Sequence, residues 1–218
     1  MSDALLLYRL SGWSQDIVWL ILCWVALKKR SYWKGYKVYF LAYILCISFL
    51  ELVYTVTALV LTNNLFLDYF YLTIEFVLLG FFLKGTISKK WVDYFVITAS
   101  ICFVLFQVFN AFWGQGLTNY NSYGTFISNV YLSGLSILAL TELFRSKLNK
   151  SLFINPISWL ALGILLIFSS IIIFDYLYGL AVPYKNDAIL YAVLITQNVI
   201  KSCYLLLFIR GIKQISIK

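Results

Sequence analysis

An all-α membrane protein of seven spanning helices is what composition, apolar run length and charge placement predict here. Of 218 residues, 62% are hydrophobic and 12% charged, and mean hydropathy is +0.88. A soluble domain carries about 25% charged residues. Seven stretches are long enough to cross about 30 Å of hydrocarbon as helices. No Pro-, Gly- or Ser-rich linker divides the chain, so residues 1–218 read as one transmembrane domain.

The first span, 11–28, is apolar after Asp16 and Gln15, which intrude near its start. A cleaved signal peptide is not expected, because the residues before it lack excess positive charge and no small-residue cleavage site follows it. The second, 38–61, and the third, 66–84, carry Glu51 and Glu75 within otherwise apolar sequence. The fourth, 92–112, holds Gln107 and Asn110 near one end. After the longest polar gap, Trp113 to Tyr123, the fifth span, 123–144, shows a stripe of Thr125, Asn129, Ser133 and Ser136, with Ser122 just before it. The sixth, 156–181, is announced by Asn155-Pro156, an N-cap residue followed by Pro at the first helical position. The seventh, 187–210, has Lys201 near its middle. Trp13, Trp33, Tyr36, Trp91, Trp113 and Tyr184 fall where membrane interfaces are expected, and Pro183 in an outer loop.

Orientation follows from the basic residues. Lys28, Lys29, Arg30, Lys34 and Lys37 lie between spans one and two. Lys84, Lys89 and Lys90 follow span three, and Arg145, Lys147 and Lys150 follow span five. With Arg210, Lys213 and Lys218 in the tail they make 14 of the 17 Lys and Arg. The positive-inside rule then puts the C-terminus in the cytoplasm and the N-terminus outside. A multi-pass protein of a cell inner membrane is the expected location.

Composition also excludes functions. There is no His, hence no commonest general base or metal ligand, and Cys23, Cys46, Cys102 and Cys203 sit in apolar runs without CxxC spacing. They read as small buried hydrophobes. No catalytic residue and no metal site are expected, and no enzyme: neither a nucleophile–base pair nor a metal motif occurs. The net charge of +8 is a topology signal, not a nucleic-acid footprint.

The candidate site comes from charge inside the spans. A Lys or acid at a bilayer centre costs roughly 2.5–3.5 kcal/mol, so such groups turn inward and mark functional positions. Glu51 and Glu75 lie roughly 14 Å below the outer surface, and Lys201 roughly 21 Å, within reach of an extended Lys stem. Glu51 shares a helix face with Ser48, Tyr54 and Thr55; Glu75 with Asp68 and Tyr71; Lys201 with Gln197, Asn198 and Tyr204. Glu51, Glu75, Lys201, Gln197, Asn198, Tyr71, Tyr54 and Asn129 are therefore the expected lining of a polar cavity, with Gln107 and Asn110 beside it. A purely architectural network is the alternative. Asp175 is expected to be half solvated, or capped by Tyr176 or Tyr178.

Three resemblances bear on what such a cavity does. Seven helices, an outer N-terminus and a helix 7 Lys resemble the microbial rhodopsins. That likeness implies Lys201 as the retinal Schiff-base residue and Glu75 as counterion. Gln197 stands where that family has a second acid, and its helix 3 Arg and its helix 6 Trp and Pro landmarks have no counterpart. The layout is also similar to sugar transporters built as two three-helix repeats joined by a single helix. Finally, Tyr71-Leu72-Thr73-Ile74-Glu75, Asn155-Pro156-Ile157-Ser158-Trp159 and Gln197-Asn198-Val199-Ile200-Lys201 resemble small bacterial seven-helix proteins associated with sensor histidine kinases. That likeness implies a receptor-like sensor or signalling partner without supplying a ligand; the polar cavity adds the expectation of a small or lipid-like ligand or a proton. Expected partners are the bilayer, such a ligand and a signalling protein such as a histidine kinase. Self-association stays open.

Overall fold

A computed structural model describes residues 3–60, 64–145, 155–181 and 187–215. Seven α-helices run Asp3–Lys28 (α1), Lys37–Val60 (α2), Phe66–Lys84 (α3), Lys90–Phe112 (α4), Ser122–Arg145 (α5), Pro156–Ala181 (α6) and Asp187–Gln214 (α7). A single 3-10 turn, Arg30–Tyr32, precedes α2, and the described residues contain no strand. All seven helices are long and apolar enough to cross a membrane. Large apolar side chains such as Trp24, Phe49, Leu105 and Phe126 are exposed, as lipid-facing positions require. Which side either terminus faces is not fixed by the fold.

Most boundaries fall within two residues of expectation, but α1 does not: it starts eight residues early, at Asp3. The polar residues that interrupt the apolar run do not interrupt the helix, because their hydroxyls turn back on it. Ser11 Oγ donates to Tyr8 O at 2.7 Å and Ser14 Oγ to Ser11 O at 2.7 Å. α7 likewise runs four residues past its expected end. The predicted α6 cap is present, with Ile157 N–H donating to Asn155 Oδ1 at 3.2 Å. Positive φ occurs at Gly35 and Gly116, both in inter-helix turns where the chain reverses.

Packing runs α1–α2–α3–α5–α6–α7 and back to α1, while α4 lies outside this ring against α3. Phe76 of α3 is sandwiched between Phe103 of α4 (centroids 4.0 Å) and Tyr131 of α5 (3.9 Å). α6 and α7 approach closely because glycines face side chains across the seam. A Cβ at Gly163 would lie 2.5 Å from Phe208, and one at Gly211 2.7 Å from Leu160.

The bundle's two ends differ. Lys28, Lys29, Arg30, Lys34, Lys37, Lys84, Lys89, Lys90, Arg145, Arg210 and Lys213 all belong to one end. It is closed by contacts such as Lys29 Nζ to Ile215 O at 2.9 Å and Ser88 Oγ to Glu142 Oε1 at 2.6 Å. Lys147, Lys150, Pro183, Tyr184, Lys185 and Lys218 lie outside the described residues. Just inside this basic end is a dense aromatic core. Phe40 packs on Phe82 at 4.9 Å and edge-on against Phe208 at 5.1 Å, and all three are fully buried.

Candidate functional site

Toward the opposite end the packing opens. No residue of α7 from 189 to 204 is buried, nor any from 49 to 57 in α2 or 171 to 178 in α6. Residues 189–204 make about four helical turns and so point in every direction around the axis. α7 still packs against α1 and α6 along this stretch, so its partial exposure reflects looser packing at this end of the bundle. Below residue 204, burial returns at Leu205, Phe208, Ile209 and Ile212. The half of the bundle away from the basic residues is thus less densely packed than the half around the aromatic core, and this looser half is termed the vestibule.

Two tyrosine–glutamate pairs stitch α2 to α3 at the vestibule floor. Tyr43 of α2 donates its hydroxyl to Glu75 Oε1 of α3 at 3.3 Å, and Tyr71 of α3 donates to Glu51 Oε1 of α2 at 3.3 Å. The helices are antiparallel, so the pairs alternate direction across the seam. Tyr43 is buried and held edge-on against Trp19 at 5.9 Å, and Glu75 is 7% exposed. Burying a carboxyl without partners costs several kcal/mol in general, so the phenol donors are a condition of Glu75 sitting here at all.

Lys201 faces this group without closing on it. Its charge acts on Glu51, Glu75 and Asp175 together. Among the described residues, however, the one ion pair within 4 Å joins Lys84 and Asp93, at 3.3 Å near the basic end. Lys201 is thus a half-buried cation whose charge acts on three carboxylates with no ion pair to any of them within 4 Å.

The other expected lining residues divide. Tyr54, Tyr71 and Gln197 are half-exposed at vestibule level. Asn198 is not directed at the charged group: its Nδ2 donates to Ser11 Oγ at 3.1 Å, tying α7 to α1. Asn129 is 1% exposed, and its Nδ2 has no hydrogen-bond partner; it belongs to the packed interior, not to an open lining. Gln107 and Asn110 correct the expectation more fully. Asn121, in the loop before α5, accepts from Asn110 Nδ2 at 2.9 Å and from Gly124 N–H at 3.0 Å, and donates to Gln107 Oε1 at 2.8 Å. These buried amides lock α4 to α5 and cap the latter; they do not line a cavity. Asp175 interacts with the Tyr120 side chain, from that same loop, while Tyr176 and Tyr178 are exposed. The cysteines also differ from expectation, since Cys102 and Cys203 lie exposed on the apolar surface.

Residues that sequence reasoning missed are Tyr43, Asp16, Tyr120 and Asn121. Tyr43 precedes Glu51 by eight residues, about 80° round the helix, a spacing that places both toward one neighbour. Asp16 has no such signal. It looked like a blemish in the first span, yet its charge acts on Glu51 across the α1–α2 seam.

Comparison with known proteins adds no relative: no family model, no curated protein and no solved structure matches the chain.

Proposed function

We propose that this protein is a receptor-like membrane sensor whose vestibule takes a small or lipid-like ligand or a proton beside Glu51, Glu75 and Lys201. Occupancy would be read at the basic end by a signalling protein such as a histidine kinase. One observation carries this reading: a loosely packed half with polar groups inside sits directly above a closely packed aromatic core. Any change in Lys201's balance among three carboxylates bears on α2, α3, α6 and α7, which all continue into the packed end. On this proposal the basic end is cytoplasmic, in an inner membrane, by the positive-inside rule.

A proton is the simplest occupant to apply. Nitroxide labels at Ser88 and Lys213, on the basic end of protein in nanodiscs, are expected to change their distance distribution between pH 8 and pH 5. The Glu51→Gln, Glu75→Gln double variant is expected not to respond. Identical distributions in the two proteins at every pH would count against the sensor.

A transporter is the second reading, favoured by one specific feature. The ring order sets α1–α2–α3 beside α5–α6–α7 and leaves α4 outside, as two three-helix units joined by a linker would be arranged. Proteoliposome flux that disappears in Glu75→Gln would replace the sensor by this reading. Retinal is less suited to the site. The three carboxylates grouped around Lys201 fit an ionic or hydrated occupant, whereas a polyene needs an apolar slot, and no step is derived through it. Visible absorbance on reconstitution with retinal, lost in Lys201→Ala, would reverse that judgement.

A further inference from the structure

Between α1 and α2 a second recess opens sideways from the bundle, with about 140 Å³ of free volume lined by Asp16, Trp19, Leu20, Ser48, Glu51, Leu52 and Thr55. Leu20 is 55% exposed and Leu52 58% exposed, so the mouth lies on the surface that faces acyl chains. Deeper in, Trp19 and Ser48 are at least nine-tenths buried. Two carboxylates, Asp16 from α1 and Glu51 from α2, face this one small space, and no Lys or Arg is among its walls.

Ser48 is the independent sign that something is missing. Its Oγ is buried, lines the recess by residue, and has no hydrogen-bond partner. Some serines in these spans close back on their own helix, as Ser136 does on Leu132 O at 2.7 Å; Ser48, like Ser100, Ser128, Ser133 and Ser158, does not, and of these Ser48 alone lines the recess. Buried polar atoms without partners are uncommon and call for an occupant or a cost.

Charge balance indicates the sign of that occupant. Away from the basic end, Asp16, Glu51, Asp68, Glu75 and Asp175 lie within the spans; of the cations in that half, Arg9 is exposed and the charge of Lys201 acts on Glu51, Glu75 and Asp175. Asp16 has no cation of its own among the described residues. Two acids beside an indole ring, at the end of an apolar mouth, match an organic ammonium with an alkyl chain. The carboxylates take the charge, Ser48 Oγ accepts an N–H, Trp19 offers its ring face, and the chain leaves between Leu20 and Leu52.

We infer that the α1–α2 recess is a binding site for an alkylammonium amphiphile entering laterally from the lipid. This rests on the receptor reading, since Glu51 belongs to both sites, and it names the ligand class.

The test uses the full chain in nanodiscs and a brominated dodecylammonium, whose bromines quench nearby tryptophan. A saturable quenching component is expected that disappears in Trp19→Phe. The same brominated chain ending in a hydroxyl or a carboxylate should lose it by roughly tenfold or more in affinity. Asp16→Asn should weaken it by a similar factor. Leu52→Phe, which narrows the mouth while keeping the charges and adding no tryptophan, should weaken it too and guards against a folding defect in the Asp16 variant. Linear quenching, or equal affinity for all three headgroups, would mean simple partitioning and would overturn the site. Lys201→Met separates the two readings. Binding strengthened there, where the carboxylates lose their competing cation, but unchanged in Asp16→Asn would move the amine into the vestibule, ending this assignment while leaving the receptor standing. Binding kept there, with no conformational response at the basic end, would do the reverse.

Discussion

At the scale of single residues, Glu75 and Asn121 show what polar groups inside this bundle require. Glu75 has one phenol donor, Tyr43, so Tyr43→Phe strips a buried carboxyl of that bond while keeping the ring contacts with Trp19 and Phe40. The expected loss is about 1–3 kcal/mol, measured as a lowered midpoint of unfolding in detergent. Glu75→Gln in the same background should recover part of that loss, because a neutral amide is cheaper to bury; no recovery would contradict this view of the pair. Asn121 holds three bonds at once: a donor bond to Gln107, an acceptor bond from Asn110 and the α5 cap. Asn121→Ala is expected to cost more than Asn155→Ala, which removes only the α6 cap and should lose about 1 kcal/mol. Equal losses would mean that the buried amides contribute nothing beyond capping.

For the helices, how much was legible depends on whether the signal is local. Apolar run length and the Asn155-Pro156 pair are local, and α6 spans the predicted 156–181. The start of α1 was not legible, because Ser11 and Ser14 satisfy their hydroxyls within the helix and so cancel the polarity that marked a boundary. Faces were legible and neighbours were not. Glu51, Ser48 and Thr55 do share a surface, but periodicity cannot say that Asp16 of α1 lies opposite. For the same reason Asn198, one turn from Lys201 in sequence, turned out to serve α1. The close α6–α7 seam gives a prediction of its own. Gly163→Val places a branched side chain against Phe208 and should destabilise the bundle by roughly 1–3 kcal/mol, read by thermal unfolding. Gly134→Val, with open space around the added Cβ, should change little.

Over the whole molecule, one end is basic and closely packed and the other is polar inside and more loosely packed. On the proposed orientation the closely packed end lies in the cytoplasm, and the more loosely packed end faces the other way. The spread of charge along the sequence made the first half of that statement legible. The second half emerged only from packing, because a loosely packed apolar helix looks the same in sequence as a closely packed one. Orientation is directly checkable. A C-terminal reporter fluorescent only in the cytoplasm is expected to shine, and an N-terminal one to stay dark.

The central claim is the vestibule, and thiol accessibility along α7 tests it most directly. In a background with the four native cysteines replaced, single cysteines from 189 to 212 would be exposed to a membrane-impermeant thiol reagent, one side of the membrane at a time. Labelling is expected at the Gln197 and Tyr204 positions from the N-terminal side only, and none at Leu205, Phe208 or Ile212 from that side. Absence of labelling at Gln197 and Tyr204, or labelling that continues through Phe208, would contradict an open polar chamber standing on a closed aromatic floor.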